Sequence, residues 1–303
     1  MKAKTVVGLG EILWDLYPGE KHLGGAPANV AIHAHRLGAK GTIVSAVGRD
    51  ALGKEILKAL SAQGMETQFI QKLPFKPTGT VKVVLDASGV PSFSCSENTA
   101  FDEIQWNEAL NNLAYWADAV VVGTLAQRSP ISKRTIQQFL SHARGLRVYD
   151  INLRGWTPEI RKTVRETLKK VDVVKLNELE LAKLQEEFDS NAEPLHFLNQ
   201  LIAEFELSLA ALSLGAEGCL LTDGTRAVRV PGIPVSVVDT TGCGDAFTAG
   251  LVVKMLEDAS LEEMAQFANA VGAFVATQKG ASPLYSREDL EAFIQIQNER
   301  KVQ

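Results

Sequence analysis

The sequence lacks the marks of several large classes of protein. Cysteine occurs three times in 303 residues, at Cys95, Cys219 and Cys243. An odd number at such wide spacings favours reduced thiols over a disulfide framework or a zinc site. No apolar run approaches the ~20 residues that span a bilayer, and the first residues turn acidic too soon for a signal peptide. We therefore expect a cytoplasmic protein with no membrane partner.

The sequence is also poor in basic clusters and in familiar phosphate-binding motifs. The formal net charge is -5 and the Lys and Arg residues are scattered, which argues against nucleic acid as a partner. The pattern GxxxxGK followed by Ser or Thr is absent. The segment GCGDAF has two of the three glycines of the dinucleotide fingerprint, with Phe247 in the last place, far from the amino-terminal strand. An oxidoreductase is therefore disfavoured.

What is present predicts a doubly wound α/β fold. Hydrophobic residues make up 46% of the chain, enough for one large domain. Continuous apolar runs at 117–124, 146–152, 171–177 and 207–215 alternate with amphipathic, helix-like stretches. Such alternation is typical of a mainly parallel sheet with helices on both faces. Ligands bind beyond the carboxyl ends of such strands, so the polar residues there are candidates: Asp150, Asn152, Asn177 and Asp239.

One segment, 78–96, breaks this alternation. Apolar residues recur in it with period two on either side of a DASG turn: Val81, Val83, Leu85, Phe93 and Cys95. This pattern predicts a hairpin with one apolar face, which must pack against other strands, the main body or a second subunit. We expect 1–303 to form a single domain with a small β lid built from segments near 11–23 and 76–98.

The segment VVDTTGCGDAFTAG, residues 237–250, carries the chemistry. Gly242 and Gly244 let backbone N–H groups converge at the start of a helix, where the helix dipole favours an anion. These groups could stabilise a phosphoryl group in transfer. Asp245 would repel phosphate, but it is placed to accept a proton from an attacking hydroxyl. The alternative is that Asp245 merely caps the helix.

DTTGCGDAFTAG resembles the carboxyl-terminal signature of the ribokinase-like, or PfkB, family of carbohydrate kinases, Asp-Thr-x-Gly-x-Gly-Asp. The earlier segment GGAPANVAIHAHRLGA resembles the sugar-binding turn and helix of that family and is followed by VGRDALG, so the resemblance extends over almost the whole chain. It implies a sugar kinase that uses ATP and Mg²⁺. It also implies that Asp245 is the catalytic base and that the amides of Gly242, Cys243 and Gly244 form the anion hole.

The resemblance implies a sugar site as well. Asp15 resembles the family aspartate that holds sugar hydroxyls, and Gly25 and Asn29 match the glycine and asparagine that close around the sugar. A carboxylate and an amide suit adjacent hydroxyls because both can form hydrogen bonds to them. The alternatives are a surface turn for Asp15 and a helix-start residue for Asn29.

Further positions match the family's nucleotide and metal sites. In KLNELE, Asn177 and Glu180 resemble an Asn-x-x-Glu element in which the acid holds Mg²⁺ through water and the amide positions phosphate; mutual capping at the helix start is the alternative. Asn152 and Arg154 follow a strand end near the phosphates, although Arg154 could be a solvated charge. The remaining matches lie under ATP or near adenosine: Ser213, Gly215, Gly218 and Asn269. For the helix of Asn269, ordinary core packing remains an alternative to an adenine slot.

Many family members bind a monovalent cation beside the anion hole. Asp239 and Thr241 match two positions of that loop and Gly280 matches a carbonyl donor, which implies K⁺, but Leu284 stands where some members have a hydroxyl.

Because a helix start lowers thiol pKa values, we also expect Cys243 to be a reactive thiolate whose alkylation inhibits unless ATP is bound.

Within the family, this sequence is most similar to bacterial fructokinase-like members, as the segments GEILWDLYP and SENTAFDEI indicate. D-fructose is therefore the first choice of substrate. Ribose, 2-keto-3-deoxygluconate and nucleosides remain alternatives because the same fold accepts them through a few lid contacts. A catalytically silent sugar-binding regulator is the alternative from another class. The family commonly dimerises through its lid, so the resemblance also implies a homodimer.

Overall fold

Strands and helices alternate along the part of the chain that the computed structural model describes, residues 3–85 and 91–302. The strands there are β1 Thr5–Leu9, β2 Leu13–Tyr17, β3 Glu20–Gly24, β4 Lys40–Gly48, β5 Ile70–Leu73, β6 Gly79–Leu85, β7 Pro91–Cys95, β8 Ala119–Val122, β9 Leu146–Asp150, β10 Val173–Asn177, β11 Leu209–Ser213, β12 Cys219–Thr222 and β13 Ala227–Val230. The helices there are α1 Ala26–Arg36, α2 Ala51–Ala62, α3 Glu108–Trp116, α4 Pro130–His142, α5 Pro158–Leu168, α6 Glu178–Glu187, α7 Pro194–Phe205, α8 Cys243–Leu256, α9 Leu261–Ala276 and α10 Arg287–Val302.

The main sheet has the strand order β13-β12-β11-β10-β9-β8-β1-β4-β5. Its pairs are parallel except at β11/β12 and β12/β13, which are antiparallel. The chain leaves β1 for β4 and β5 and later returns to pair β8 on the other side of β1. The strand order therefore reverses between β1 and β8, which is where ligands bind in such sheets.

Both faces of this sheet are covered, as the continuous apolar runs predict. Val120 and Val121 are neighbours on β8 and belong to different core clusters, because successive side chains of a strand point to opposite faces. One cluster is shared with α3 to α7 and the other with α1, α8, α9 and α10. The doubly wound α/β prediction is confirmed.

Two of the helices that cover the sheet begin where the sequence supplies a capping hydroxyl. Ser129 precedes α4 and Thr157 precedes α5, and each hydroxyl accepts a hydrogen bond from a first-turn N–H. Each helix then starts with proline, whose missing N–H would have no partner in the first turn. None of the helices between residues 3 and 302, leaving aside 86–90, is long and apolar enough to cross a membrane.

A second, smaller sheet has the order β3-β2-β6-β7 and will be called the small sheet. Its central pair, β2/β6, is parallel and its outer pairs are antiparallel. Val81 pairs with Cys95 across the predicted hairpin, and both side chains pack against the core of the main body. The DASG turn, 86–89, and the side chains of 83–85 and 91–93 lie outside the described residues. A lid function and dimerisation through this sheet stay predictions.

Asp50 joins the small sheet to the main body. Its carboxylate caps α2 by accepting the Gly53 N–H at 2.8 Å, and it also accepts the Thr78 N–H at 2.8 Å just before β6. The Thr78 hydroxyl donates to the same carboxylate at 2.6 Å. These hydrogen bonds outweigh the effect of burial, so the pKa of Asp50 lies below its usual range. The segment VGRDALG therefore fixes where β6 of the small sheet begins.

Candidate functional site

The turn before α8 is held against the segment 280–281. Gly242 is the residue before the helix, with φ +76°, and an added Cβ there would lie 2.2 Å from the Ala281 carbonyl oxygen. Asp239 ties the two segments together, because its carboxylate accepts the Thr241 N–H and the Gly280 N–H, each at 2.9 Å. The glycine is thus required both by the left-handed backbone and by the close approach of Ala281.

Asp245 lies in the first turn of α8 with 9% of its surface exposed. Its carboxylate accepts a hydrogen bond of 2.8 Å from the side-chain amide of Asn29, in the first turns of α1. Burial, reinforced by the like charge of Asp150, raises the pKa of Asp245 to about 7, against the opposing effects of Asn29, Lys175 and Arg154. A carboxylate that changes charge near neutral pH suits a general base.

A cavity of about 590 Å³ opens beside Asp245 at the carboxyl edge of the main sheet. It lies between the small sheet and the N-terminal ends of α1 and α8. Of the residues predicted for the site, the following line it: Asp15, Gly25, Asn29, Asn152, Arg154, Asn177, Glu180, Thr241, Gly242, Gly244 and Asp245. The predicted residues outside its lining are Cys243, Asp239, Gly280, Ser213, Gly215, Gly218 and Asn269.

The predicted sugar residues meet at the small-sheet side of this cavity. Burial raises the pKa of Asp15 to about 6, although Arg154 and His22 favour its charged form. Gly25, with φ +111°, precedes α1, and a Cβ there would lie 2.4 Å from the Glu11 carbonyl oxygen. Asn29 is 3% exposed and touches Asp245, so the same side chain reaches the sugar side and the candidate base.

Asn177 and Glu180 form a reciprocal capping box at the start of α6, the alternative that the sequence left open. The Asn177 side chain accepts the Glu180 N–H at 3.0 Å, and Glu180 accepts the Asn177 N–H at 2.8 Å. The second oxygen of Glu180 accepts the Leu153 N–H at 2.9 Å. Capping does not exclude a role in binding, because both residues line the cavity and each carboxylate oxygen keeps a second lone pair.

Asn152 and Arg154 follow β9 at the mouth of the cavity. Asn152 has φ +41°, a left-handed conformation that asparagine tolerates better than most residues. Arg154 is exposed, and its charge favours the ionised forms of Glu11, Asp15 and Asp245. Its guanidinium is thus a positive charge facing three acids and available to an anionic ligand.

The predicted nucleotide residues lie farther along the same sheet edge. Ser213 ends β11, and Gly215 and Gly218 bound the turn that leads into β12. Asn269, in α9, is 7% exposed and donates a hydrogen bond of 3.0 Å to the Pro231 carbonyl oxygen. Its amide therefore fixes the loop after β13, and an adenosine site there stays a prediction.

The prediction of a reactive Cys243 thiolate is wrong. The residue does begin α8, but the thiol is largely buried between two carboxylates. Burial, with the negative charges of Asp239 and Asp245, raises the pKa of the Cys243 thiol to about 12. The backbone amide of Cys243 donates to the Thr240 carbonyl oxygen at 3.3 Å, within the turn. Burial first, and then the two negative charges, outweigh the effect of the helix dipole on this thiol.

We now expect Cys243 to resist alkylation. Iodoacetamide at pH 7.5 should modify it at least about tenfold more slowly than free cysteine, because little thiolate is present at that pH. Peptide mass spectrometry over time measures the rate, and the chain unfolded in guanidinium serves as the fully reactive control. Labelling of Cys243 in the folded protein as fast as free cysteine would contradict the burial and charge described above.

Two cavity residues, Glu11 and Lys175, received no role from the sequence. Glu11 is 3% exposed, accepts the Ala26 N–H at 3.3 Å, and its other oxygen has no hydrogen-bond partner within the described residues. Burial raises its pKa. Lys175 lies in the apolar strand β10 and is 5% exposed. The same feature of the sequence could have identified both residues, because each is a charged residue within an otherwise apolar run.

Known proteins that are similar to this chain are carbohydrate kinases. The family model of the pfkB family of carbohydrate kinases matches residues 18–287. The chain belongs to the PfkB family of carbohydrate kinases. The match covers β3 to β13 and the turn before α8, so the resemblance seen in the motifs is confirmed.

Relatives of this kinase match over nearly their full length. A sugar kinase from Pyrococcus horikoshii is 32% identical, with 94% of each chain covered. A fructokinase from Vibrio alginolyticus is 32% identical over 94% of this chain and 97% of its own. The crystal structure of a fructokinase from Vibrio cholerae O395, with fructose, ADP and potassium bound, is 27% identical, with a TM-score of 0.82 and 97% and 99% of the two chains covered.

Proposed function

We propose that this PfkB-family kinase transfers the γ-phosphoryl group of ATP to a primary hydroxyl of a sugar, with D-fructose as the first choice. The observation that supports this most is the position of Asp245. It is a buried carboxylate that changes charge near pH 7, in the same cavity as Asp15 and Asn29 and beside the glycine turn that starts α8. A base, a polyol site and an anion site thus share one chamber.

In the proposed reaction, Asp15 and Asn29 hold the sugar while its primary hydroxyl attacks the γ-phosphorus. The O–H proton passes to the Asp245 carboxylate as the new P–O bond forms. The bond from the γ-phosphorus to the bridging oxygen breaks, and ADP leaves with that electron pair. The N–H groups of Gly242 and Gly244 stabilise the developing charge, and that of Cys243 joins them by exchanging its bond to Thr240.

The acidic residues fit a magnesium ion held mainly by ATP and water. Within residues 3–85 and 91–302 there is no group of three or more His, Cys, Asp or Glu side chains that could hold a metal. Glu180 lines the cavity, but both of its oxygens already accept backbone N–H groups. We propose that Glu180 holds Mg²⁺ through water, where the ion would neutralise phosphate charge.

We also propose the turn of Asp239 and Thr241, with Gly280, as the site of a monovalent cation. In support, the Asp239 carboxylate accepts N–H groups from Thr241, in the turn before α8, and from Gly280. It therefore fixes the backbone carbonyl groups of these two segments relative to each other. The fructokinase of Vibrio cholerae, whose structure contains potassium, supports the same choice. Activation by KCl that NaCl at equal ionic strength fails to reproduce would support it; equal rates in the two salts would argue against it.

Fructose is favoured because fructokinases are prominent among the relatives. Ribose, 2-keto-3-deoxygluconate and nucleosides remain alternatives. ADP release from MgATP should be measured with each of these acceptors, and with glucose and fructose 6-phosphate. A signal confined to fructose supports the proposal, whereas a stronger signal with another acceptor would reassign the substrate and keep the kinase.

A catalytically silent sugar-binding regulator is the alternative of another class. Such a protein would be expected to lose the base, the anion turn or the Asn-x-x-Glu pair, and this chain has Asp245, Gly242, Asn177 and Glu180 around one cavity. Binding of ATP and fructose with no ADP release from any acceptor would favour the regulator.

The activity should depend on two carboxylates with raised pKa values. Both Asp245, with a pKa of about 7, and Asp15, with a pKa of about 6, must be ionised to act as proposed. We therefore expect kcat/KM to rise with pH, with slope one between about pH 6 and 7 and a steeper slope below that range. Initial rates from pH 5 to 9 at constant ionic strength measure this profile. A flat profile between pH 5.5 and 8 would contradict both assignments.

A further inference from the structure

Lys175 is a buried cation in the wall of the proposed active site. It lies in the middle of β10, among apolar neighbours, with 5% of its surface exposed, and it lines the cavity of Asp245. Removing an ammonium group from water costs several kcal/mol unless charges and hydrogen bonds compensate for it. The residues around Lys175 must therefore supply the compensating charge and hydrogen bonds.

Asp150 is the partner that holds Lys175. The two residues are paired in register on the adjacent parallel strands β9 and β10, and Lys175 Nζ lies 3.2 Å from Asp150 Oδ1. Thr248 Oγ1 donates to the other oxygen of Asp150 at 2.8 Å, one turn after Asp245 on α8. Asp150 is 3% exposed and Thr248 is fully buried. The ammonium group is thus fixed relative to the helix that carries the candidate base.

The ammonium group faces the anion turn. An added Cβ on Gly244 would lie 3.0 Å from Lys175 Nζ, so the missing side chain keeps the amine and the Gly244 backbone close together. Within residues 3–85 and 91–302, Lys175 makes one side-chain hydrogen bond, to Asp150, which leaves two of its three N–H donors for another ligand. The charge of Lys175 also favours the ionised forms of Glu180 and Asp245.

We propose that Lys175 binds the γ-phosphoryl group of ATP during transfer, with Asp150 and Thr248 as positioning residues. The inference rests on the proposed kinase reaction and adds a full positive charge to an anion hole otherwise built from backbone N–H groups. A fixed cation in a site that excludes water stabilises charge more strongly than it would in solution. The competing role is structural: Lys175 would merely neutralise Asp150, Glu180 and Asp245.

Three variants separate these roles: Lys175→Met, Asp150→Asn, and the double variant Lys175→Met/Asp150→Asn. The first leaves a buried carboxylate without its cation and is expected to lower stability, whereas the double variant removes both charges together. Lys175 lowers and Asp150 raises the pKa of Asp245, so the double variant, which removes both opposing effects, is the one whose kcat at pH 8 is compared with wild type. Thermal unfolding and ADP binding identify the variants that are folded.

Affinity for the ATP analogue with an imido β–γ bridge, relative to ADP, is the first readout. If Lys175 contacts the γ-phosphoryl group, Lys175→Met and the double variant should lose about tenfold or more of this ratio while ADP affinity stays within about threefold. Their kcat with the accepted sugar should fall by about 10²- to 10³-fold. Asp150→Asn, which keeps the cation, should lose less than about tenfold.

A double variant with the wild-type ratio of affinities would overturn the proposal, and so would one with nearly wild-type kcat. Either result would show that Lys175 serves only to neutralise Asp150. The binding ratio can be measured even if wild-type protein phosphorylates no sugar. Failure of the proposed reaction and failure of the Lys175 inference are therefore distinguishable.

Discussion

Replacing Asp245 with asparagine is expected to lower kcat by roughly 10²- to 10⁴-fold, the range of a lost general base. Asparagine keeps the shape of the side chain and can still accept the hydrogen bond from Asn29, but it cannot take the proton of the sugar hydroxyl. Nucleotide affinity should change little. Steady-state rates and ADP binding with purified protein measure the two effects.

The same variant should be more stable than wild type above pH 7. The pKa of Asp245 is about 7 in the folded protein against a usual value of 3.8, so the folded state binds this proton more tightly than the unfolded state does. The stability that this proton contributes is therefore lost as pH rises from about 4 to 7, and a neutral asparagine undergoes no such loss. Lost activity with a raised Tm at pH 8 would exclude misfolding as the cause.

Asp258→Asn is the matched control for Asp245→Asn. Asp258 is exposed just beyond the other end of α8, in a left-handed turn with φ +55° where asparagine fits as well. It should retain kcat within about twofold of wild type, as surface changes usually do. A residual kcat of Asp245→Asn above about a tenth of wild type would reject Asp245 as the base.

Gly242→Ala is expected to lower kcat by about 10²-fold, because the turn that forms the anion hole must move. The added Cβ would lie 2.2 Å from the Ala281 carbonyl oxygen, which is backbone and cannot rotate away. Displacing positioned groups by about 1 Å commonly costs this much in rate. Because sugar binding depends on other residues, KM for the sugar should change less than kcat, and steady-state kinetics measure both.

Two other glycines provide controls for Gly242→Ala. Gly64 has φ +75°, almost the same backbone strain, but the nearest atom to an added Cβ is 3.7 Å away. Gly64→Ala should lower Tm and leave kcat unchanged. In Gly244→Ala the Cβ would lie 3.0 Å from Lys175 Nζ, a side-chain atom that can give way more easily than the backbone of Ala281, so an intermediate loss is expected. Equal kcat values for Gly242→Ala and Gly64→Ala would contradict the anion-hole assignment.

Much of the fold could be predicted because local pattern and long-range packing agree in it. The runs at 146–152 and 171–177 are apolar on both faces, so they fit a covered parallel sheet, and they form β9 and β10. Residues just beyond such strands were expected near a ligand, and Asn152 and Asn177 do line the cavity. The glycine motif predicts the turn before α8 because Gly242 adopts the left-handed conformation, φ +76°, that glycine tolerates best.

Long-range neighbours explain what the sequence could not predict. The register that pairs Lys175 with Asp150 joins strands 25 residues apart, so a lysine within a strand gave no sign of its partner. For Cys243, the sequence correctly predicts the helix start and places Asp239 and Asp245 within four residues of the thiol, but the burial that contributes most to its raised pKa follows only from packing. The sequence pattern locates titratable side chains such as Lys175 and Cys243, but their charge state depends on the residues that surround them in the fold.

Phosphoryl transfer is tested most directly by following ³¹P NMR of the wild-type protein with MgATP and D-fructose at pH 8. We predict a new phosphomonoester signal that grows in step with ADP, and that grows at least about a hundredfold more slowly with Asp245→Asn. If neither fructose nor any other sugar of the panel gave such a signal while ATP remained bound, the result would contradict a sugar kinase.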